Sequence, residues 1–191
     1  MAIDRGNAIN CAGLVEVGGL RNIYVTELES LTAVTVDSSS DTHAYTNLTV
    51  SGCAMFQLKP NTASWNSTST KENGITVFET TLSWYIPNIN SSRLEVLQSM
   101  TDKCIVAVAE MYSGTNMTVG ISEEYGGTGN GTTDYIYNKT YGVMTVESTS
   151  GTDFGDGNGA TVTITARSFE QPRAYTGTIT QNSGNATADL A

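Results

Sequence analysis

Residues able to carry acid–base or nucleophilic chemistry are few in this sequence. His43 is the single histidine, and it lies among Asp41, Thr42 and Tyr45 rather than beside a nucleophile motif. A general base needs a hydrogen-bonded partner and a pocket that holds the substrate. The G-x-S-x-G, HExxH and Walker motifs are absent. We therefore predict that the protein is not an enzyme and has no catalytic residues.

Two loops have compositions that resemble ligand-binding loops. Asp153, Asp156 and Asn158 resemble part of a calcium loop, which also needs ligands at alternate positions and a terminal bidentate glutamate that this segment lacks. Four glycines lie in residues 125–133, but no predicted helix follows them, as it would in a phosphate-binding loop. We predict no cofactor and no metal, and calcium binding by Asp153 and Asp156 stays an open alternative.

The clearest structural element is a strand over residues 75–86, in which apolar and polar side chains alternate. Alternate residues of a strand point to opposite faces. One face is predicted to enter the core through Phe78, Leu82 and Trp84. The other face is predicted to meet water through Glu79, Thr81 and Ser83. Trp84 and Tyr85 could together stack on sugars or bases, but the apolar face on which Trp84 lies favours core packing.

One helix is predicted, over residues 92–100. Ser92 is the expected N-cap, and Glu95 completes a capping box three residues later. Leu94, Leu97 and Met100 share one face at helical spacing, so Leu94 and Leu97 are predicted core residues.

Most other segments favour short strands. Asn73-Gly74 predicts a tight hairpin turn. Residues 104–112 are predicted to form a strand, which is apolar on both faces as far as Ala109 and is therefore expected to be covered on both sides. Residues 59–69 form a loop that could resume as an edge strand. Further strands are predicted over residues 20–25, 31–36, 45–50, 55–58, 117–121, 141–146 and 160–168. The predicted fold class is mainly β, a β-sandwich or barrel with one flanking α-helix.

Length and charge limit the organisation and the partners. The 191 residues suit one domain, which we place at residues 20–175, between an N-terminal arm (1–19) and a flexible C-terminal tail (176–191). With 9 basic and 19 acidic residues the net charge is −10, so tight binding to nucleic acid or to an anionic membrane is not expected. The N-terminus has no signal-peptide pattern, which predicts folding in a cytosol. Cys11, Cys53 and Cys104 are predicted to be buried free thiols.

The order of several segments resembles the tail tube, or major tail, proteins of tailed bacteriophages. The segments that carry the resemblance are Gly18-Gly19, Ile23-Tyr24, residues 56–64, residues 79–82, the Leu94/Leu97 helix, residues 105–107, residues 155–159 and residues 161–164. Met111-Tyr112-Ser113 departs from the acidic turn expected there, and the chain beyond Tyr175 matches nothing in the pattern.

The resemblance implies a tail-tube-like β-sandwich with a flanking helix, whose copies close into hexameric rings. Hairpins from each copy would join into an inner barrel, and stacked rings would form the conduit for DNA ejection. In such a barrel Glu79, Thr81 and Ser83 would face water or the lumen. The implied partners are copies of the same chain, other tail proteins and DNA that passes without specific binding, with no membrane. The implied location is the virion tail, after assembly in the host bacterial cytoplasm.

Two alternatives stay open beside the tail tube hypothesis. A monomeric extracellular adhesin or carbohydrate-binding β-sandwich would suit the polar β-rich composition and the Trp84-Tyr85 pair. A hydrolase on a β scaffold is disfavoured because no nucleophile and base are paired in the sequence.

Overall fold

Strands make up most of the described chain, which confirms the mainly β prediction. The computed structural model describes residues 18–36, 45–50, 53–122, 140–151, 157–177 and 179. Its elements in chain order are β1 (Leu20–Glu27), a 3-10 turn (Leu28–Ser30), β2 (Leu31–Val36), β3 (Tyr45–Val50), β4 (Ala54–Gln57), β5 (Ala63–Glu72), β6 (Ile75–Pro87), α1 (Ser91–Thr101), β7 (Ile105–Met111), β8 (Asn116–Val119), β9 (Gly142–Thr149), β10 (Gly159–Ser168) and β11 (Ala174–Tyr175).

The strands form one folded sheet that packs against itself. Its order is β2-β3-β11-β8-β7-β9-β10-β6-β5, with β1 pairing to both β7 and β4 off this path. The pairings are antiparallel except for the single parallel contact between β11 and β3. β7 meets β9 at one residue pair, Ile105 opposite Gly142. The sheet turns there, so that β9, β10, β6 and β5 form a second layer facing β7, β1 and β8 across one apolar core.

Two glycines allow the chain to approach closely at this corner. A Cβ atom on Gly120, whose φ is +82°, would lie 2.6 Å from the backbone nitrogen of Gly142 and would also overlap the carbonyl of Ile105. A Cβ atom on Gly142 would lie 2.6 Å from Ile164 Cγ2 and 2.9 Å from the Ile105 oxygen. All of these distances are shorter than the contacts that real Cβ atoms make. The junction between the layers therefore depends on glycine at both positions.

The main core lies between the two layers. Leu82 and Trp84 of β6 are fully enclosed, and the Trp84 ring lies 5.3 Å from the Phe56 ring between centroids, at a tilt of 53°. Tilted aromatic pairs at this distance stabilise a core beyond the area that they bury. The same cluster includes Leu97 of α1 and Met144 of β9, so the helix covers the apolar side of β9.

β7 is buried on both faces, as its sequence predicts. Ile105, Ala107 and Ala109 belong to the main core. The alternate residues, Val106 and Val108, belong to a second cluster on the opposite side, with Leu28, Leu31, Ile121 and Tyr175. Continuous apolar runs of this kind are typical of strands covered on both faces.

Helix α1 departs from prediction in its cap and in its buried face. The N-cap is Asn90, whose Oδ1 accepts a hydrogen bond of 2.9 Å from the backbone N–H of Arg93, so the expected Ser92 cap is wrong. Arg93 and Leu97 are buried, whereas Leu94 is 38% exposed and its assignment to the core is wrong. The Arg93 guanidinium donates to the carbonyls of Pro87 and Asn88, at 2.9 and 2.6 Å. These bonds turn the Arg93 side of the helix towards the end of β6. Leu94 consequently lies at the edge of the buried face of the helix.

Two further expectations concern cysteines and membranes. Cys53 is buried, but Cys104 is exposed between α1 and β7, so its predicted burial is wrong. Cys11 lies outside the described residues. Within the described part of the chain, no helix combines the length and the apolar content needed to cross a membrane.

Candidate functional site

The outer face of the layer β9-β10-β6-β5 is a broad polar surface. In antiparallel strands, paired residues point to the same side. Thr81 is paired with Thr165 of β10 and with Asn66 of β5, and Ser83 is paired with Thr163 and Ser64. We call this surface the threonine-rich face. It comprises Ser64, Asn66, Thr68, Thr70 and Glu72 of β5, Ile75, Val77, Glu79, Thr81, Ser83 and Tyr85 of β6, Val143, Thr145 and Glu147 of β9, and Thr161, Thr163, Thr165 and Arg167 of β10.

The three residues predicted to meet water lie on this face. Glu79 is exposed, whereas Thr81 and Ser83 are half-buried between the neighbouring strands. The Ser83 Oγ and Thr163 Oγ1 atoms are 3.2 Å apart and share a hydrogen bond. The centre of the surface is therefore lined by neutral hydroxyl groups, of which Ser83 and Thr163 bond to each other across strands.

The predicted core residues of β6 lie at different depths. Leu82 and Trp84 are buried, but Phe78 is only half-buried, so its full assignment to the core is wrong. Phe78 is paired with Ser69 and Ser168, towards the hairpin end of β6. Among the described residues, Phe78 belongs to neither apolar cluster, and the first residue of β6 in the main core is Leu82.

Charges on the threonine-rich face lie towards its two ends, with Arg167, Glu72 and Glu79 near the β5–β6 hairpin and Glu147 near the opposite end. Arg167 Nη2 lies 2.9 Å from Glu72 Oε1, and Arg167 Nε lies 3.6 Å from Glu79 Oε2. Glu147 is a further exposed carboxylate on the same face. The described part of this surface therefore has more carboxylates than cations, and its charge is negative.

The β5 edge of this layer has no strand partner in the described chain, and the β9 edge has one only at Gly142. β5 pairs only with β6, and β9 pairs with β10 and, at one residue, with β7. The Thr62 carbonyl accepts from the Tyr85 N–H, and hydrogen-bonded positions alternate along an antiparallel ladder. By this alternation the N–H groups of Ser67 and Ser69 point away from β6. Unpaired edges of this length are templates for pairing with another chain.

A cleft of about 310 Å³ lies beside the start of β5. It is lined by Gly19, Leu20, Ala63, Ser64, Trp65 and Met111. The Trp65 Nε1 atom is buried and makes no hydrogen bond within the described residues. The lining offers one hydroxyl side chain and no acid, base or thiol, so this cleft can bind apolar groups but cannot carry out general acid–base chemistry.

A smaller cavity of about 20 Å³ lies under the second core cluster. Its lining includes Tyr24, Thr26, Cys53 and Tyr175. Burial raises the pKa of the Cys53 thiol, which disfavours the reactive thiolate. Burial and the nearby Glu110 carboxylate raise the pKa of Tyr24. Both groups are therefore held in their neutral forms, which is the opposite of activation.

The remaining candidates from the sequence are not brought together. His43, Asp153 and Asp156 lie outside the described residues, as does the glycine loop at 125–133. Asn158 is exposed, and its backbone oxygen accepts from the Asn88 N–H at 2.8 Å. Elsewhere in the described ranges, no three His, Cys, Asp or Glu side chains are grouped so that they could hold a metal ion.

Sequence reasoning missed the two features that distinguish this surface. One is Arg167, which continues the alternation of Thr161, Thr163 and Thr165 and could have been found by extending that pattern. The other is the full length of β5, whose polar sequence carries no alternating apolar signal. The chain matches no protein family and none of the curated proteins with which it was compared.

Proposed function

We propose that this chain is a tail tube subunit of a tailed bacteriophage, a structural protein that assembles into stacked hexameric rings around a channel for DNA. The observation that supports this most is the four-stranded layer with a polar outer face, an open β5 edge and a β9 edge that is paired only at Gly142. In this proposal the protein has no catalytic role. Its partners are copies of itself and other tail proteins, and it acts in the virion after assembly in the host cytoplasm.

The strand directions support edge-to-edge assembly. Each strand of the layer β9-β10-β6-β5 is antiparallel to its neighbour. The two edge strands, β5 and β9, therefore run in opposite directions. When β5 of one copy lies beside β9 of the next, the new pair is antiparallel as well. Repetition around a ring would join all the layers into one barrel and remove every free edge of those layers. Barrels of roughly 16–18 strands already enclose an aqueous channel, and six copies of a four-stranded layer exceed that size.

The chemistry of the threonine-rich face supports its role as the channel wall. The neutral hydroxyl groups at its centre, two of which are bonded across strands, offer no fixed charge to a phosphate. The surplus of carboxylates repels a polyanion, and binding to DNA depends on cations that replace its counterions. A wall of this kind would let DNA pass without holding it, which suits a protein of net charge −10.

One observation favours the second candidate, a monomeric carbohydrate-binding or adhesive sandwich. The cleft beside β5 holds an indole whose N–H is without an acceptor in the described residues. Aromatic rings and unpaired donors are the groups that contact sugars in binding clefts. Binding of glycans by a chain that stays monomeric would favour this candidate.

Proline substitution at the open edge tests the assembly proposal. Ser69 is exposed, and its N–H points away from β6, so Ser69→Pro removes an edge donor without breaking a bond within the described chain. We expect the purified wild-type chain and Ser69→Ala to form rings or tubes in negative-stain micrographs. Ser69→Pro should fold but stay monomeric. Rings formed equally by all three would contradict pairing through β5.

A further inference from the structure

Arg167 is the one cation on the threonine-rich face among the described residues, and two carboxylates hold it. Glu72 comes from the hairpin end of β5, and Glu79 lies directly opposite Arg167 in the register of β6 and β10. The guanidinium contacts both, at 2.9 Å to Glu72 and 3.6 Å to Glu79. Lys71 is adjacent in sequence, but alternation along β5 places it on the opposite face. The arrangement therefore leaves the described face with no unpaired cation.

Stability does not explain this arrangement. The three side chains are 50–55% exposed, and ion pairs between exposed groups contribute little to folding. The pairing does change the charge that the face presents to solvent. A free guanidinium binds phosphate through two parallel hydrogen bonds, so an unpaired arginine would be a contact point for a nucleic acid backbone.

We propose that Glu72 and Glu79 mask Arg167, so that the threonine-rich face does not hold polyanions such as the phosphate backbone of DNA. The inference rests on the proposed function for its biological meaning, because masking matters most where this face lines a channel. A ring would repeat the masked arginine once in every copy. Loss of the mask would then place a circle of phosphate contacts on the wall.

Binding of DNA to dispersed full-length protein tests the mask. The test variant is Glu72→Gln/Glu79→Gln, which frees Arg167. The matched control is Glu29→Gln/Glu95→Gln, which removes the same amount of charge from two exposed residues outside the face. Fluorescence anisotropy of a short labelled duplex is measured at about 50 and about 200 mM salt, a range over which phosphate contacts weaken strongly.

We expect the test variant to bind DNA more tightly than either the wild type or the control. Each new phosphate contact adds roughly 0.9 to the slope of log affinity against log salt, so one contact predicts about a 3.5-fold additional loss over this range. Adding Arg167→Gln to the test variant should abolish the gain. Equal binding by the two double variants would overturn the proposal, because net charge alone would then explain the effect.

The DNA-binding result can be told apart from a failure of the tail tube proposal. The DNA measurement uses dispersed chains and needs no ring. Failure of the wild type to assemble would contradict the tail tube proposal while leaving the comparison between the variants intact. A wild type that assembles, together with a test variant that gains no affinity for DNA, would overturn the masking alone.

Discussion

At the residue scale, Trp84 determines how the two layers pack. Its side chain is 1% exposed, and it contacts the Phe56 ring from the facing layer. Its indole Nε1 is buried and makes no hydrogen bond within the described residues. The stabilising contribution of Trp84 therefore comes from the apolar surface that it buries rather than from its N–H group.

Truncation of this side chain gives a quantitative prediction. Trp84→Ala should lower the free energy of unfolding by about 3–5 kcal/mol, because the large cavity that it leaves cannot be refilled. Leu94→Ala is the control, since Leu94 is largely outside the core and surface changes usually stay within about 0.5 kcal/mol. Urea denaturation measures both. An unchanged midpoint for Trp84→Ala would place β6 one residue out of register.

At the scale of elements, the turn of hairpin β5–β6 and the alternation of β6 could be predicted from the sequence, whereas the cap and buried face of helix α1 could not. Asn73 and Gly74 both have positive φ, at 50° and 86°, which is the backbone that an Asn-Gly turn favours. The alternation in β6 likewise identifies Leu82 and Trp84 as inward residues. Both signals are local, because turn chemistry and side-chain period are properties of the segment itself.

The predictions that were wrong or incomplete at this scale depend on contacts between segments far apart in the sequence. β5 has a polar sequence, and its strand conformation depends on the ladder with β6 rather than on its own propensity. The buried side of α1 is set by Arg93 bonding to carbonyls at the end of β6, which helical spacing of leucines does not reveal. Phe78 follows the correct alternation but belongs to neither apolar cluster of the described chain. The pairing of Arg167 with Glu72 likewise depends on a register of three strands.

The close approach of β7 and β9 at the corner between the layers predicts that a side chain at Gly142 lowers the stability of the fold. Gly142→Ala places a Cβ atom within 2.6 Å of Ile164 and 2.9 Å of the Ile105 carbonyl, so β9 must move away from β7. Overpacking of this kind should cost about 1–3 kcal/mol. Gly18→Ala is the control, because a Cβ atom there meets nothing within 4 Å. Thermal unfolding measures both, and equal melting temperatures would show that the corner opens without strain.

At the scale of the whole molecule, the two layers differ in what their outer sides meet. The layer around β7 is covered on its outer side by the second apolar cluster. The layer β9-β10-β6-β5 instead presents the threonine-rich face, a free β5 edge and a β9 edge that is paired only at Gly142. One molecule thus has a covered side and a side suited to joining with copies of itself. This difference underlies the proposal that the chain works by assembly rather than by chemistry.

A reconstruction of the assembled particle by electron cryomicroscopy tests the central claim most directly. The account predicts a closed ring in which β5 of each copy pairs antiparallel with β9 of the next, with the threonine-rich face lining the channel. A particle in which β5 remains unpaired or the threonine-rich face points outwards would contradict it. So would a chain that stays monomeric at high concentration in the presence of the other tail proteins.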